Sequence, residues 1–337
     1  MKEQITLNTI IPESLSGLRL DQALAKCFPD YSRAKLTEWV REGSVLVDQQ
    51  KWPPKRKIFG GEVIDVHAEQ AVLTHEPEDI PLDIVYEDDH ILVINKAADC
   101  VVHPGAGNWE GTLLNALLHH CEDQKHLPRA GIIHRLDKDT TGLMVVTKSQ
   151  LANTKLVADL SERKIGRYYY AVVRGRILSG GTIDQPIGRH THNRLKMAVI
   201  KGGKPAVTHY RVAQRFSGYT LLDVKLETGR THQIRVHMSH QNNSLIGDGR
   251  YAGRAQLMAN LTPSLRETIQ NFPRPALHAY HLHLEHPFTG QLMEWTLPIP
   301  EDMQALLKEL KANESIKTGL ASPHMDTSFH NLPGARR

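Results

Sequence analysis

The sequence is poor in cysteine and has no long apolar run. Its three cysteines, Cys27, Cys100 and Cys121, form no CxxC pair, which argues against a disulfide framework, a zinc knuckle or an iron–sulfur cluster. No apolar segment approaches the roughly 20 residues that span a bilayer, and the N-terminal sequence MKEQITLNTI lacks the basic and apolar regions of a signal peptide. We therefore expect a cytoplasmic protein that makes no membrane contact.

Excess charge of one sign is also small over the whole chain, but it is unevenly distributed. The 337 residues, enough for two domains, carry a net charge of +4. Residues 125–215 contain 18 Lys or Arg and five Asp or Glu, so this segment carries +13 and the rest of the chain −9. Such a local excess is typical of proteins that bind a polyanion, and it favours a nucleic-acid partner over ordinary solvated lysines.

Residues 1–67 have the pattern of a small α+β domain. Apolar residues at helical spacing predict a helix that Pro29 ends, and a second helix with Ser32 as its N-cap and Gly43 just past its C-terminus. Alternating apolar residues beyond Gly43 then predict two β-strands.

The remainder of the chain predicts a linker, a large second domain and a tail. Residues 68–82 are rich in Glu and Pro without hydrophobic periodicity, so we interpret them as a linker. Residues 83–312 mix β-rich runs with a few helical segments, the last of which covers about 301–312. Residues 313–337 are rich in Ser, Gly, Pro and His, and we expect a disordered tail.

A polar segment in the second domain is the best candidate for a functional site. Its nine residues, HRLDKDTTG at 134–142, lie between two apolar runs. So many charges between two buried strands predict a loop held by rigid elements, where functional groups concentrate. A charged hairpin tip without function would also explain the charges, and composition alone leaves both interpretations open.

Asp137 and Asp139 allow a different chemistry. An Asp-x-Asp pair after a short apolar strand also occurs in haloacid-dehalogenase-like phosphoryl-transfer enzymes, where the first Asp is the nucleophile and Mg²⁺ joins the carboxylates. That metal needs a further acidic cluster, and the best candidate, Asp248, has no second acid within four residues. The pair His190 and His192 likewise lacks a third ligand at a useful spacing, so we expect no metal.

Further blocks accompany the polar segment in a fixed order along the second domain. They are VINK at 93–96, VVHPG at 101–105, RYYYA at 167–171, LETGRTHQIRVH at 226–237, IGD at 246–248, ALHA at 276–279 and HP at 286–287. Together with HRLDKDTTGL at 134–143, they resemble the signatures of the RluA-type pseudouridine synthases, although Ala97 stands where that family usually has proline. The resemblance implies an α+β fold whose catalytic domain has a central, mostly antiparallel mixed β-sheet flanked by helices and loops.

The same resemblance implies a reaction and the residues that perform it. These enzymes break the N-glycosidic bond of uridine, rotate the uracil and rejoin it through carbon without net redox change, which implies no cofactor. Asp137 would be the catalytic carboxylate, Arg235 would pair with it, and Tyr169 would stack on the uracil and take its C5 proton. Arg135 would fill the place of the flipped-out base, and His134 would also contact RNA. Asp137 could attack the sugar, attack the base or remove a sugar proton, and the sequence leaves all three open.

The N-terminal domain carries a resemblance of its own. LRLD at 18–21, SR at 32–33 and GSVLVD at 43–48 are similar to the S4 RNA-binding domain. The sequence Asp48-Gln49-Gln50 lacks the glycine of a tight hairpin turn, so we expect a longer turn or another turn type. Basic side chains are expected to crowd the polar side of this domain and bind RNA. They are Arg33, Lys35, Arg41, Lys55, Arg56 and Lys57.

Two blocks favour one subgroup of the family. HPGAGN at 103–108 and GTLLNALL at 111–118 are similar to the subgroup that modifies three uridines in a single stem-loop of 23S rRNA. We therefore expect an isomerase that acts as a monomer, with 23S rRNA of the large ribosomal subunit as its partner. The alternatives are a synthase for other 23S or tRNA uridines and a non-catalytic RNA-binding assembly factor. The intact Asp137, Tyr169 and Arg235 argue against the assembly factor, because a binder has no use for them.

Overall fold

The chain forms separate hydrophobic cores on two main β-sheets, one in each predicted domain. The structure is a computed structural model that describes residues 2–71, 75–105, 107–193, 195–252 and 261–318. In these ranges no helix is both long enough and apolar enough to cross a membrane. The three cysteines are free thiols, as expected from their spacing.

The N-terminal domain is a three-stranded antiparallel sheet with two helices. Its strands are β1 (Lys2–Ile10), β2 (Val45–Val47) and β3 (Val63–Ala71), and β3 lies in the middle. Helices α1 (Leu20–Cys27) and α2 (Arg33–Glu42) bury apolar side chains against this sheet. Among the described residues, this domain therefore has a core that shares no residue with the cores of the second domain.

Local signals placed α2 correctly. The Ser32 hydroxyl accepts a hydrogen bond from the Lys35 N–H at 3.2 Å, and Gly43 ends the helix with φ 79°. The hairpin after β2 has neither the longer turn nor the other turn type that we expected from the missing glycine. Asp48 and Gln49 form a two-residue turn with φ values of 47° and 62°, the conformation for which glycine is usually needed. The Asp48 carboxylate offsets this strain by accepting a hydrogen bond from the backbone N–H of Val63 at 2.9 Å.

Two boundaries of this region differ from the prediction. β3 extends to residue 71 because nine of its residues pair with β1, a strand that the sequence did not reveal. The first residues of the predicted linker 68–82 are therefore strand. Glu78 lies against the second domain, where its carboxylate accepts hydrogen bonds from the backbone N–H of Gly111 at 2.9 and 3.1 Å.

The second domain contains a nine-stranded sheet and a separate two-stranded sheet. The strands in chain order are β4 (Ile84–Glu87), β5 (Ile91–Lys96), β6 (Thr141–Thr147), β7 (Gly166–Arg174), β8 (Gly181–Asp184), β9 (Ile187–Arg189), β10 (Met197–Val199), β11 (Val207–Phe216), β12 (Tyr219–Leu226), β13 (Leu277–Glu285) and β14 (Leu292–Thr296). The large sheet has the order β4-β5-β6-β13-β7-β12-β11-β8, with β14 paired to β13, and β9 pairs with β10. Among the strand pairs of the described residues, only β6 and β13 are parallel, so the predicted, mostly antiparallel mixed sheet is confirmed.

Helices cover both faces of this sheet. On one face, α3 and α5 pack over Met144, Tyr169 and Leu222. On the other, α4, α6 and α7 pack over two further clusters that contain Val145 and Val172. The helices are α3 (Leu113–His120), α4 (Gln150–Ser161), α5 (Gln233–His240), α6 (Pro263–Gln270) and α7 (Glu301–Thr318).

The last helix is longer than predicted. It continues through residue 318 rather than ending near 312, so the first residues of the predicted disordered tail are helical. Asn313 explains part of the extension, because its side chain is buried and its Oδ1 accepts a hydrogen bond from the Thr262 N–H at 3.0 Å. Residues 319–337 of the predicted tail lie outside the described residues.

Candidate active site

The polar segment is a loop that leads into the centre of the sheet. Residues 134–140 have no regular structure, and Thr141 and Gly142 begin β6 at its parallel contact with β13. Gly142 has a φ of 115°, and a Cβ atom there would lie 2.2 Å from the carbonyl oxygen of Ala279. Glycine therefore permits the close approach that holds the base of the loop.

A buried lysine fixes the other side of this loop. The Nζ of Lys96 donates hydrogen bonds to the carbonyl oxygens of Ala97, Cys100 and Lys138 at 2.7, 3.0 and 2.8 Å. Burial lowers the pKa of Lys96 to about 8. Because Lys138 directly follows Asp137, these bonds restrict the backbone that carries the carboxylate.

Asp137 forms an ion pair with Arg235 of α5. The Arg235 Nη1 lies 2.9 Å from Asp137 Oδ2, while its Nε and Nη2 bind both oxygens of Asp248 at 2.7 and 3.0 Å. Asp248 is buried, and its Oδ1 also accepts hydrogen bonds from the backbone N–H groups of Arg250 and Tyr251. Burial opposes the charge of Arg235, but Asp248 and Asp137 outweigh it and hold the Arg235 pKa above its ordinary value. The guanidinium is thus locked on one side and presents its free edge to Asp137.

Tyr169 of β7 lies on the face of the sheet that packs against Leu136 and Ile234, and it interacts electrostatically with Asp137. It is 5% exposed, and burial raises the pKa of its phenol. Its neighbours Tyr168 and Tyr170 occupy the opposite face, where Tyr170 stacks on Tyr280 at 3.9 Å between ring centroids. Of the three consecutive tyrosines, the structure brings only Tyr169 to the face that holds Asp137 and Arg235.

Arg167 is a second buried cation on the Tyr169 face. Its Nη2 donates to the carbonyl oxygen of Glu227 at 3.3 Å, and its Nε has no hydrogen-bond partner among the described residues. Burial lowers the pKa of this guanidinium. The quoted blocks contain Arg167, Lys96 and Asp248, but sequence reasoning assigned them no role because their contacts join segments distant in the chain.

The other predicted site residues fall into two groups. Arg135 is exposed on the loop, two residues before Asp137. His134 instead turns towards β6, where its Nε2 accepts a hydrogen bond from the Val145 N–H at 3.0 Å. Burial lowers the His134 pKa to about 3, so the ring is neutral. This geometry gives His134 a structural contact, and it offers no cation to RNA.

Two of the six basic residues predicted to bind RNA in the N-terminal domain form ion pairs within that domain. Arg33 pairs with the buried Asp21 at 2.7 Å, and Lys35 pairs with Glu38 at 2.9 Å. The remaining four are exposed. The guanidinium of Arg56 stacks on Trp52, with 3.6 Å between its Cζ atom and the ring centroid. These four are Arg41, Lys55, Arg56 and Lys57.

Comparison with known proteins places this site in a family. A family model described as RNA pseudouridylate synthase matches residues 90–240. The chain is 54% identical over 312 residues to ribosomal large subunit pseudouridine synthase D of Pasteurella multocida, and 53% identical over 313 residues to that of Vibrio vulnificus. Each alignment covers 92% of this chain and 96% of the relative. The chain belongs to the RNA pseudouridylate synthase family. Human RNA pseudouridylate synthase domain containing 4 shares the fold, with a TM-score of 0.53 and 24% identity over 68% of this chain and 92% of that chain.

Membership of the pseudouridylate synthases confirms the assignment made from the sequence blocks and makes the protein an isomerase. The phosphatase and non-catalytic alternatives are therefore wrong. The structure gives a physical reason against the phosphatase, because Asp248 is taken up by Arg235 and does not complete a metal site with Asp139. Within the described ranges, no three His, Cys, Asp or Glu side chains are grouped so that they could hold a metal ion.

Proposed function

We propose that this pseudouridylate synthase converts uridine to pseudouridine in 23S rRNA of the large ribosomal subunit, at three uridines of one stem-loop. The proposal is supported by identity above 50% to relatives named as large-subunit rRNA enzymes, over nearly their whole length. The segment 125–215, with its net charge of +13, supplies the counter-charge that a folded RNA requires. As expected from the sequence, we further propose that the enzyme acts as a monomer in the cytoplasm.

The observation that carries the chemistry is the ion pair between Asp137 and Arg235. The reaction breaks the bond between uracil N1 and ribose C1′, joins C5 to C1′ and moves the C5 proton away, so it needs an acid–base or nucleophilic group and no electron acceptor. In our proposal Asp137 is that group and no cofactor takes part. Arg235 pairs with the carboxylate and orients it in a site from which the bound RNA excludes water.

Two further residues complete the proposed mechanism. Tyr169 stacks on the flipped uracil and receives the C5 proton at the end of the reaction. Arg135 enters the gap that the target base leaves in the RNA stack, which offsets part of the few kcal/mol that flipping costs. Its exposure on the loop that carries Asp137 supports this role. The N-terminal domain binds the RNA outside the target nucleotide.

Asp137→Asn tests the catalytic proposal directly. The amide keeps the shape of the carboxylate but is neither a base nor a nucleophile, so we expect pseudouridine formation to fall at least a thousandfold while the Kd for RNA stays within roughly twofold. Formation would be measured by tritium release from [5-³H]uridine in a stem-loop transcript. Asp139→Asn, two residues along the same loop, is the matched control and should remain active. Activity of Asp137→Asn at a tenth of wild type would contradict the role of Asp137.

The target is tested separately in cells. Chemical mapping of pseudouridine in 23S rRNA and tRNA from a deletion strain should show loss at three uridines of a single 23S stem-loop. Complementation with the wild-type gene should restore them, and complementation with the Asp137→Asn gene should not. Loss confined to tRNA, or spread over other 23S sites, would contradict the proposed target while leaving the chemistry intact.

A further inference from the structure

A histidine lies beside the second oxygen of Asp137. His232 is the N-cap of α5, and its Nε2 lies 4.0 Å from Asp137 Oδ1. Arg235 occupies the other oxygen, Oδ2. Among the described residues no donor lies within hydrogen-bond distance of Oδ1, so this oxygen faces His232 across a gap.

A hydrogen-bond chain fixes the protonation of the ring. The Tyr251 hydroxyl accepts a hydrogen bond from the backbone N–H of Met197 at 3.0 Å. The same hydroxyl lies 2.6 Å from His232 Nδ1. Among the described contacts of the Tyr251 hydroxyl, His232 Nδ1 is the only atom that can accept its proton. The hydroxyl therefore donates a hydrogen bond to Nδ1. The neutral ring then carries its own proton on Nε2, the nitrogen that faces the Asp137 carboxylate. The opposite tautomer would place a lone pair against a negative charge.

Burial favours this neutral form, and the surrounding charges are balanced. Burial lowers the pKa of His232, the carboxylates of Asp137 and Asp248 oppose that shift, and the guanidiniums of Arg235 and Arg250 add to it. The site therefore presents one fixed donor, Nε2–H, and one fixed acceptor, Oδ1. A separation of 4.0 Å is too long for a direct hydrogen bond but admits one oxygen about 2.8 Å from each atom.

Only a group that both accepts and donates through one atom satisfies this pair, and a hydroxyl does so. Within an RNA chain the only free hydroxyl of an internal ribose is the 2′-hydroxyl, and it adjoins C1′, the carbon at which the reaction takes place. We propose that His232 and Asp137 together bind the 2′-hydroxyl of the target nucleotide, with His232 donating and Asp137 accepting. This inference rests on the proposed function, and it makes His232 a residue that selects ribose over deoxyribose at the target.

The test combines a change in the enzyme with a change in the substrate. Tritium release would be measured on a 23S stem-loop oligonucleotide with one [5-³H]uridine, and on the same oligonucleotide with [5-³H]2′-deoxyuridine at that position. The ratio of the two rates would be compared between wild type and His232→Asn. Asparagine tolerates the φ of 57° at this position but is too short to reach the hydroxyl. Any intrinsic effect of the missing hydroxyl on bond cleavage is common to both enzymes and cancels.

We expect the ribose-to-deoxyribose rate ratio to be about fivefold smaller in His232→Asn than in wild type, the value of one neutral hydrogen bond. Tyr251→Phe removes the hydroxyl that donates to Nδ1 and keeps the imidazole of His232, so it should shift the ratio in the same direction. This variant provides the test if His232→Asn does not fold. His240→Asn, at the far end of the same helix, should leave the ratio unchanged. An equal ratio in wild type and both site variants overturns the hydroxyl contact alone. If the wild type releases no tritium from the all-ribose oligonucleotide, the result contradicts the proposed function itself rather than the hydroxyl contact alone.

Discussion

The ammonium of Lys96 illustrates how a single buried charge holds the catalytic loop. A protonated lysine has three N–H donors, one for each of the three carbonyl oxygens that it binds, whereas the neutral amine has only two. Because burial lowers the Lys96 pKa to about 8, all three bonds are present below that pH and one is lost as the pH rises through it. The carbonyl of Lys138 then loses part of its restraint, and the position of Asp137 becomes less well defined.

We therefore expect the single-turnover rate of the wild type to fall above about pH 8. Lys96→Met should be slower by roughly tenfold to a hundredfold at neutral pH, since a misplaced carboxylate reacts poorly, and it should lack this alkaline decline. Rates would be measured from about pH 6 to about pH 9 with RNA binding recorded in parallel. A decline that persists in Lys96→Met would assign the titration to another group.

The parallel contact between β6 and β13 is the element on which the loop rests. Its register pairs Ala279 with Gly142, and no Cβ atom fits at Gly142. Gly142→Ala must displace the backbone of β13 as well as accept a positive φ, so we expect a loss of roughly 2–4 kcal/mol in the free energy of unfolding and a large loss of activity. Urea unfolding would measure the first effect and tritium release the second.

Gly290→Ala is the matched control for that substitution. Gly290 also has a positive φ, 72°, but a Cβ atom there meets nothing within 4 Å. This variant should show the cost of the backbone conformation alone, about 1 kcal/mol, with normal activity. Equal destabilisation by the two variants would mean that the close approach of β6 and β13 is not what requires glycine at 142.

Helices and strands could be predicted from the sequence where the residues that determine them lie within a few positions of one another. Ser32 and Gly43 delimit α2 through contacts within a few residues, and the apolar run after the polar segment predicted a strand that the structure contains as β6. Signals that depend on distant partners were missed. The strand β1 is half-exposed and acquires its structure by pairing with β3, more than 50 residues away. At the site, the ion pair of Asp137 with Arg235 was expected from the family resemblance, whereas Asp248 behind it was not, because nothing local distinguishes that carboxylate.

At the scale of the whole molecule, our proposal divides RNA recognition between the two domains. The N-terminal domain has its own core and exposes Lys55, Arg56 and Lys57 in a row. The catalytic domain contains the strongly basic segment 125–215 and the ion pair of Asp137 with Arg235. If each domain contacts a different part of the RNA, loss of the first should weaken binding without altering the chemistry of a bound nucleotide.

Deletion of residues 1–70 should therefore raise the Kd for the rRNA stem-loop and its flanking helix more than it lowers the single-turnover rate at saturating RNA. In the full-length chain, replacing Lys55, Arg56 and Lys57 together by Ala should have a smaller effect of the same kind. Each lost phosphate contact should reduce the slope of log Kd against log salt concentration by about 0.7 to 0.9, so the triple variant should lose roughly two units of slope. Substitution of Lys26, Lys308 and Lys311 by Ala removes the same charge outside this row and serves as the control. Equal affinity and equal salt dependence with and without residues 1–70 would exclude the N-terminal domain from RNA binding.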